Sequence, residues 1–184
     1  MLKAAAAIGR HFELDLLEAV ADVDSDTLIA ALDEAEQSRV VTGPSGRQEV
    51  AWHFPHDLIR QALAATMSRH RCQRLHLRIA DAMARLDTPG RAYTSEIAHH
   101  LYSAGRIADG ERTARALMQA GDAGYSMYAT EDAITHYRRA LEVLQEVRSG
   151  EATQLAVEER LADLLALLGD RPEAVDRFQS IGSG

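Results

Sequence analysis

Apolar residues recur at helical spacing along most of this chain, and the pattern breaks in one place. Leu14, Leu17 and Val20 mark a first clear helix, with a short one over Ala4 to Ile8 ahead of it. Asp24 or Ser25 stands where a cap is needed for a helix carrying Leu28, Ile29, Leu32 and Ala35 on one face. The break is "RVVTGPSGRQEVAWHF". Val40 and Val41, then Val50, Trp52 and Phe54 at alternate positions, flank Gly43, Pro44, Ser45 and Gly46, which predicts a short hairpin. Helices followed by a hairpin predict a winged helix with the hairpin as its wing.

Helical spacing resumes after the break. Phe54 is expected to pack inward and Pro55 to occupy the first turn of a helix, where a missing N–H costs nothing. Ile59, Ala62, Leu63 and Thr66 follow one stripe of that helix. Ser68 then caps a longer one with Cys72, Leu75, Ile79, Ala82 and Leu86 as its seam, ending near Thr88-Pro89-Gly90. That turn divides the chain into a winged-helix domain over 1–88 and a helical domain over 91–184.

The second part reads as helix pairs. Ala133, Tyr137 and Ala140 have the small, aromatic, small spacing of the second helix of a tetratricopeptide repeat. Counting back puts Leu117, Ala120 and Gly121 at the apolar and small positions of the first helix. Two helices approach closely only where the side chains between them are minimal. Ala174 and Phe178 repeat the spacing less fully, with Ile181 at the third position, and "RSGEAT" is expected to be a loop insertion between the pairs. The fold class expected is therefore mostly α: a winged helix with a small β-hairpin, then an incomplete solenoid of tetratricopeptide-like antiparallel helix pairs. Such stacks bind peptides or helices in a groove. Tyr125 and Tyr128 either line that groove or enter the core, while Tyr137 holds the aromatic packing position.

Charge adds one feature. The net charge of −8 disfavours nonspecific contact with DNA or anionic membrane. Yet Leu58 to Ala80 contains Arg60, Arg69, Arg71, Arg74 and Arg78 with no carboxylate. Arg71, Arg74 and Arg78 share a helical face and form a basic interaction face suited to an acidic protein surface. The helix over Asp24 to Gln37, where a winged helix would read DNA, carries five carboxylates and no basic residue, so DNA is an unlikely partner for this segment. No apolar run reaches membrane-spanning length, and Met1 to Ile8 lacks the longer apolar region of a signal peptide, so a cytoplasmic location is expected.

Catalytic chemistry finds little purchase. "HFPHDLIR" holds two histidines, but His53 falls on the predicted strand and His56 on the helix. Adjacent His99 and His100 diverge on a helix, and Cys72, the single cysteine, lies in an apolar seam. Neither a metal site nor a catalytic residue is expected.

Four runs in order, "AAIGRHFELDLLEAV", "HFPHDLIRQAL", "RLHLRIADAMARL" and "SEIAHHLYSAG", resemble a segment of bacterial signal-transduction (STAND, AAA-type) ATPase regulators. These include the large LuxR-type transcription regulators and the ATPase-linked adenylate cyclases. The resemblance implies a regulatory segment that couples an ATPase domain to an effector through protein–protein contacts. It also implies that His56 and Asp57, with Arg60 one turn on, sense a nucleotide phosphate in the full-length protein. Pro55 stands where these regulators carry a small polar capping residue. The chain has no G-x-x-x-x-G-K-[ST] loop, so it needs no cofactor of its own, and ATP or ADP belongs to the full-length protein. The alternatives are a free-standing tetratricopeptide adaptor and, from another class, a DNA-binding winged-helix protein.

Overall fold

A computed structural model of the chain describes residues 1–21, 23–45, 50–87, 93–147 and 151–167. They form a mostly helical protein with one small antiparallel sheet, divided into two compact units, Met1–Ala92 and Tyr93–Gly184. The Thr88-Pro89-Gly90 turn lies outside the described residues, as do Ala174, Phe178 and Ile181. Among the described residues no helix is long and apolar enough to cross a membrane.

The first unit runs α1 (Leu2–Ile8), β1 (His11–Glu13), α2 (Leu14–Ala21), α3 (Ser25–Gln37), β2 (Ala51–His53), α4 (Asp57–Ala65) and α5 (Arg69–Leu86). Ala4, Ala5 and Ala6 are buried, and these small side chains let α4 and α5 close onto α1. Asp24 is the N-cap of α3: its carboxylate accepts from the Thr27 N–H at 2.9 Å and from the Thr27 hydroxyl at 2.7 Å. Those bonds hold its carboxyl below the usual carboxylate range. Leu28, Leu32 and Ala35 form the buried stripe of α3, but Ile29, expected among them, is 43% exposed. One residue past Leu28, it is turned about 100° away from the core.

The end of α3 redirects the chain. Arg39 adopts the left-handed conformation, φ 57°, and the N–H groups of Arg39 and Val40 donate to the carbonyls of Glu36 and Ala35, both at 2.8 Å. This closure, made more often with glycine, turns the backbone so that Val41 enters the core. The predicted hairpin is therefore corrected. Val40 and Val41 form no strand; the main partner of β2 is β1, in the register His11 to His53, Phe12 to Trp52 and Glu13 to Ala51. From the α3 side Thr42 bonds β2, through reciprocal bonds with His53 at 2.8 and 3.0 Å, so the hairpin is reduced among the described residues to one antiparallel bridge, and its Gly46 lies outside them. Val50, outside the strand, is 66% exposed. Phe12 and Phe54 stack at 5.6 Å between ring centroids, both buried.

Two expectations about the next helices also change. Pro55 precedes α4 by two residues; His56 is the N-cap, because its carbonyl accepts the first helical bond, from Ile59 N–H at 3.1 Å. Of the expected stripe, Ile59 and Leu63 are half-buried while Ala62 and Thr66 are exposed, and no residue of α4 is fully buried. In α5 the core contact belongs to the C-terminal half, with Ile79, Ala80, Ala82 and Met83 buried against α1 and α2. Cys72, Leu75 and Leu86 are only half-buried.

The second unit runs α6 (Thr94–Ala104), a 3-10 turn (Gly105–Ile107), α7 (Gly110–Ser126), α8 (Thr130–Val147) and α9 (Glu151–Leu167). Asp109 caps α7 by accepting from the Arg112 N–H at 2.7 Å. Leu117, Ala120, Ala133, Tyr137 and Ala140 are all buried between α7 and α8, where Gly121 faces the Tyr137 ring. Glu151 to Thr153 belong to α9, so "RSGEAT" is not loop throughout. Its last three residues continue into the helix that buries Val157, Leu161 and Leu165.

Candidate functional site

At the start of α4 the three residues of the expected phosphate sensor do not converge. His56 is exposed and its side chain makes no capping bond. Arg60 instead turns back onto Asp57, Nε to Oδ1 at 2.6 Å, and reaches the Ala6 carbonyl at 3.4 Å. Gln61 donates to the other Asp57 oxygen at 2.5 Å. The Arg60 bond, then that of Gln61, holds the Asp57 carboxyl below the usual range. At this helix end His56 is exposed, as is Leu58, and the Asp57 side chain remains part-exposed.

The basic row sits elsewhere. Arg71, Arg74 and Arg78 are all exposed and line one wall of an open cleft of about 1000 Å³ in the first unit. The opposite wall comes from α3, through Ala31, Glu34, Ala35 and Ser38, and Leu63, Met67 and Leu75 add apolar surface. Lys3 also borders the cleft. The arginines were legible as a charge run. The α3 wall was not, although Ala31, Ala35 and Ser38 do share helical spacing with Glu34.

In the second unit, side chains on α6 meet those on α8, and α7 meets α9. Tyr102 donates to Glu142 at 2.7 Å, Arg106 to Glu146 at 3.3 Å, and the Arg139 guanidinium lies 4.9 Å from the Tyr102 ring centroid. On the other side Arg160 grips both Asp122 oxygens, at 2.6 and 2.8 Å, while the Tyr137 hydroxyl donates to Asp122 at 2.6 Å. Burial first, then Asp122, pushes the Tyr137 phenol above its usual range, so it stays a donor. A hollow of about 290 Å³ opens here between Tyr125, Arg160, Leu164 and Leu167. Tyr125 and Tyr128 are exposed, Tyr128 by 94%, while Tyr137 is core.

The histidines hold no metal-like arrangement: among the described residues no three His, Cys, Asp or Glu side chains gather to ligate an ion. His53 faces His11 across the sheet at 5.8 Å between rings, and His100 is buried against His99 at 5.2 Å. His136 leaves its Nδ1 buried without a hydrogen-bond partner. Burial first, then Arg139, holds both His99 and His136 below the usual imidazole range; Asp132 opposes this at His136, and His99 adds to it.

These two imidazoles give a pH prediction. The unfolded chain takes up protons near the ordinary value of 6.5, before the folded one does. The contribution of the two imidazoles to the second unit's stability should therefore be present in full above about pH 6.5 and be lost as pH falls from there through their lower folded-state range. Hydrogen exchange of α6 and α8 peptides across pH 5 to 8, corrected for intrinsic rates, checks this. His136→Phe should flatten the slope, and an unchanged slope in that variant would refute the assignment.

No protein-family model, curated protein or solved structure matches this chain.

Proposed function

We propose that this chain is a non-catalytic, protein-interaction segment of a bacterial signalling or transcription regulator, coupling an ATPase domain outside these residues to an effector. The observation that carries the reading is the stacking of the second unit. Successive helices pack α6 on α7, α7 on α8 and α8 on α9, and side-chain bonds reach one helix further, from Tyr102 on α6 to Glu142 on α8 and from Asp122 on α7 to Arg160 on α9. Repetition of that kind, with Gly121 set against Tyr137, supports a tetratricopeptide-like solenoid, whose use is to present an extended surface to another chain. In the first unit the order helix, strand, helix, helix, strand supports a winged helix.

The exposed carboxylates of α3 argue against the DNA-binding alternative, since they would repel phosphates where such a helix docks. For a nucleotide sensor, His56 is the group still open to a phosphate, whereas Arg60 would first have to leave Asp57.

The test is binding of the parent protein's ATPase domain, produced separately, to the 184-residue chain by calorimetry in the ADP state and in the state loaded with a non-hydrolysable ATP analogue. Coupling requires the affinities to differ, by about tenfold for a coupling free energy of about 1.4 kcal/mol. Equal affinities would leave a passive scaffold, and a parent reading frame without a phosphate-binding loop would favour the free-standing adaptor.

A further inference from the structure

The cleft in the first unit has the shape and charge of a seat for a helix. Its lining draws Ala31, Glu34, Ala35 and the C-cap Ser38 from α3 and Arg71, Arg74, Leu75 and Arg78 from α5, each set at the spacing i, i+3, i+4, i+7, and the start of α1 and the end of α2 line it as well. Two helical ridges flanking an open groove is the arrangement into which a third helix packs. The α3 wall is small, alanine and serine beside Glu34, so the backbone of a third helix can come close. The surface contributed by Leu63, Met67 and Leu75 is apolar and only half-buried.

Charge selects among occupants. Arg71 lies in the first turn of α5, which contains no acidic residue, and so sits beside the positive end of the helix dipole. An anion placed along this wall relieves that repulsion. A bare polyanion would suit the charge of the arginine row but leave the apolar surface wet, and it would meet Glu34 in the same cleft. An amphipathic helix with an apolar stripe and carboxylates along one edge satisfies both.

We infer that the cleft between α3 and α5 binds an acidic amphipathic helix of a partner domain, its apolar stripe on Leu63, Met67 and Leu75 and its carboxylates against Arg71, Arg74 and Arg78. This rests on the reading of the chain as a protein-interaction segment and gives that reading a partner chemistry. The run from Arg71 to Arg78 corresponds to about 10 Å of helix, so two to three turns of the partner engage.

Three labelled peptides of about 14 residues provide the test, identical in their leucine stripe and carrying Glu, Gln or Lys along one edge. Binding to the whole chain is followed by fluorescence anisotropy at low and physiological salt. The Glu peptide is expected to bind at least about tenfold tighter than the Gln peptide, with the Lys peptide weakest. The Arg71→Glu/Arg74→Glu variant should lose that order, and Ala31→Gln, which narrows the cleft from the α3 side without changing its charge, should weaken all three peptides while the melting temperature stays unchanged. Peptides that bind alike, or that fail to bind, overturn the inference. So does a duplex of about 20 base pairs, or a phosphatidylserine vesicle, that binds more tightly than the Glu peptide and is released by the same arginine variant. If the peptides fail while the ATPase domain still binds in a nucleotide-dependent way, this seat is wrong and the coupling role stands.

Discussion

Gly121→Ala is expected to destabilise the second unit, although alanine in place of a mid-helix glycine ordinarily gains about 1 kcal/mol. A Cβ at this position would lie 2.7 to 3.0 Å from Cε1, Cζ and Cδ1 of Tyr137. Those are ring atoms of a buried side chain, held at its far end by the 2.6 Å bond to Asp122, which Arg160 holds in turn. The ring cannot step aside without breaking that chain of contacts. Overpacking of this kind costs about 1–3 kcal/mol, which outweighs the propensity gain, and Gly121→Val should cost more. Gly124 is the control on the same helix: its added Cβ meets backbone atoms at 3.5 to 3.6 Å, ordinary contact, so Gly124→Ala should be neutral or stabilising. Hydrogen exchange of α7 and α8 peptides separates the two. In a double-mutant cycle, Tyr137→Leu should recover part of the Gly121→Ala loss, because the smaller side chain vacates the contested space. Additive losses would mean that the ring is not what resists the methyl group.

The same interface explains why part of the fold could be read in advance. Leu117, Ala120, Ala133 and Ala140 lie at helical spacing in long periodic segments, and their burial follows from spacing alone. The sheet was harder. His11–Glu13 has three residues and one buried side chain, too short for any period to emerge, so β2 was assigned the nearer partner in sequence. The chain instead needed Val41 in the core, and the left-handed Arg39 delivers it there at the expense of a strand. Boundaries set by one hydrogen bond were equally hidden: Pro55 reads as a helix start, yet the bond from Ile59 to the His56 carbonyl decides where α4 begins.

The candidate site was half legible for a related reason. A row of arginines without carboxylates stands out in any sequence. Its counterpart on α3 lies about forty positions earlier and is made of alanine and serine, residues that carry no charge signal and acquire meaning only once the fold sets them opposite α5. Likewise, the His56, Asp57 and Arg60 cluster reads as a set facing a ligand, but carboxylate and guanidinium one turn apart bond to each other first. Asp57 and Arg60 do so on α4, within reach of their own side chains.

Phe54→Ala should be the most damaging single substitution in the first unit. The side chain is fully buried, its ring packs on Phe12 at 5.6 Å, and its backbone N–H donates to the Arg10 carbonyl at 3.0 Å. Truncating a buried phenylalanine costs about 3–5 kcal/mol, a large share of the about 5–15 kcal/mol that holds a domain of this size together. Trp52 is the only tryptophan of the chain and pairs with Phe12 across the sheet, so its fluorescence reports this unit alone. The urea midpoint read at Trp52 should fall steeply in Phe54→Ala, less in Phe54→Leu, and stay in place in Val50→Ala, where the side chain is already exposed. Phe54 also anchors the entry to α4, two residues before His56. In Phe54→Ala, exchange should therefore quicken at the first turn of α4 even where the unit remains folded, while the Arg60 to Asp57 pair, local to that helix, persists. A loss of stability of less than about 1 kcal/mol would show that the Phe12–Phe54 pair is not the centre of this core.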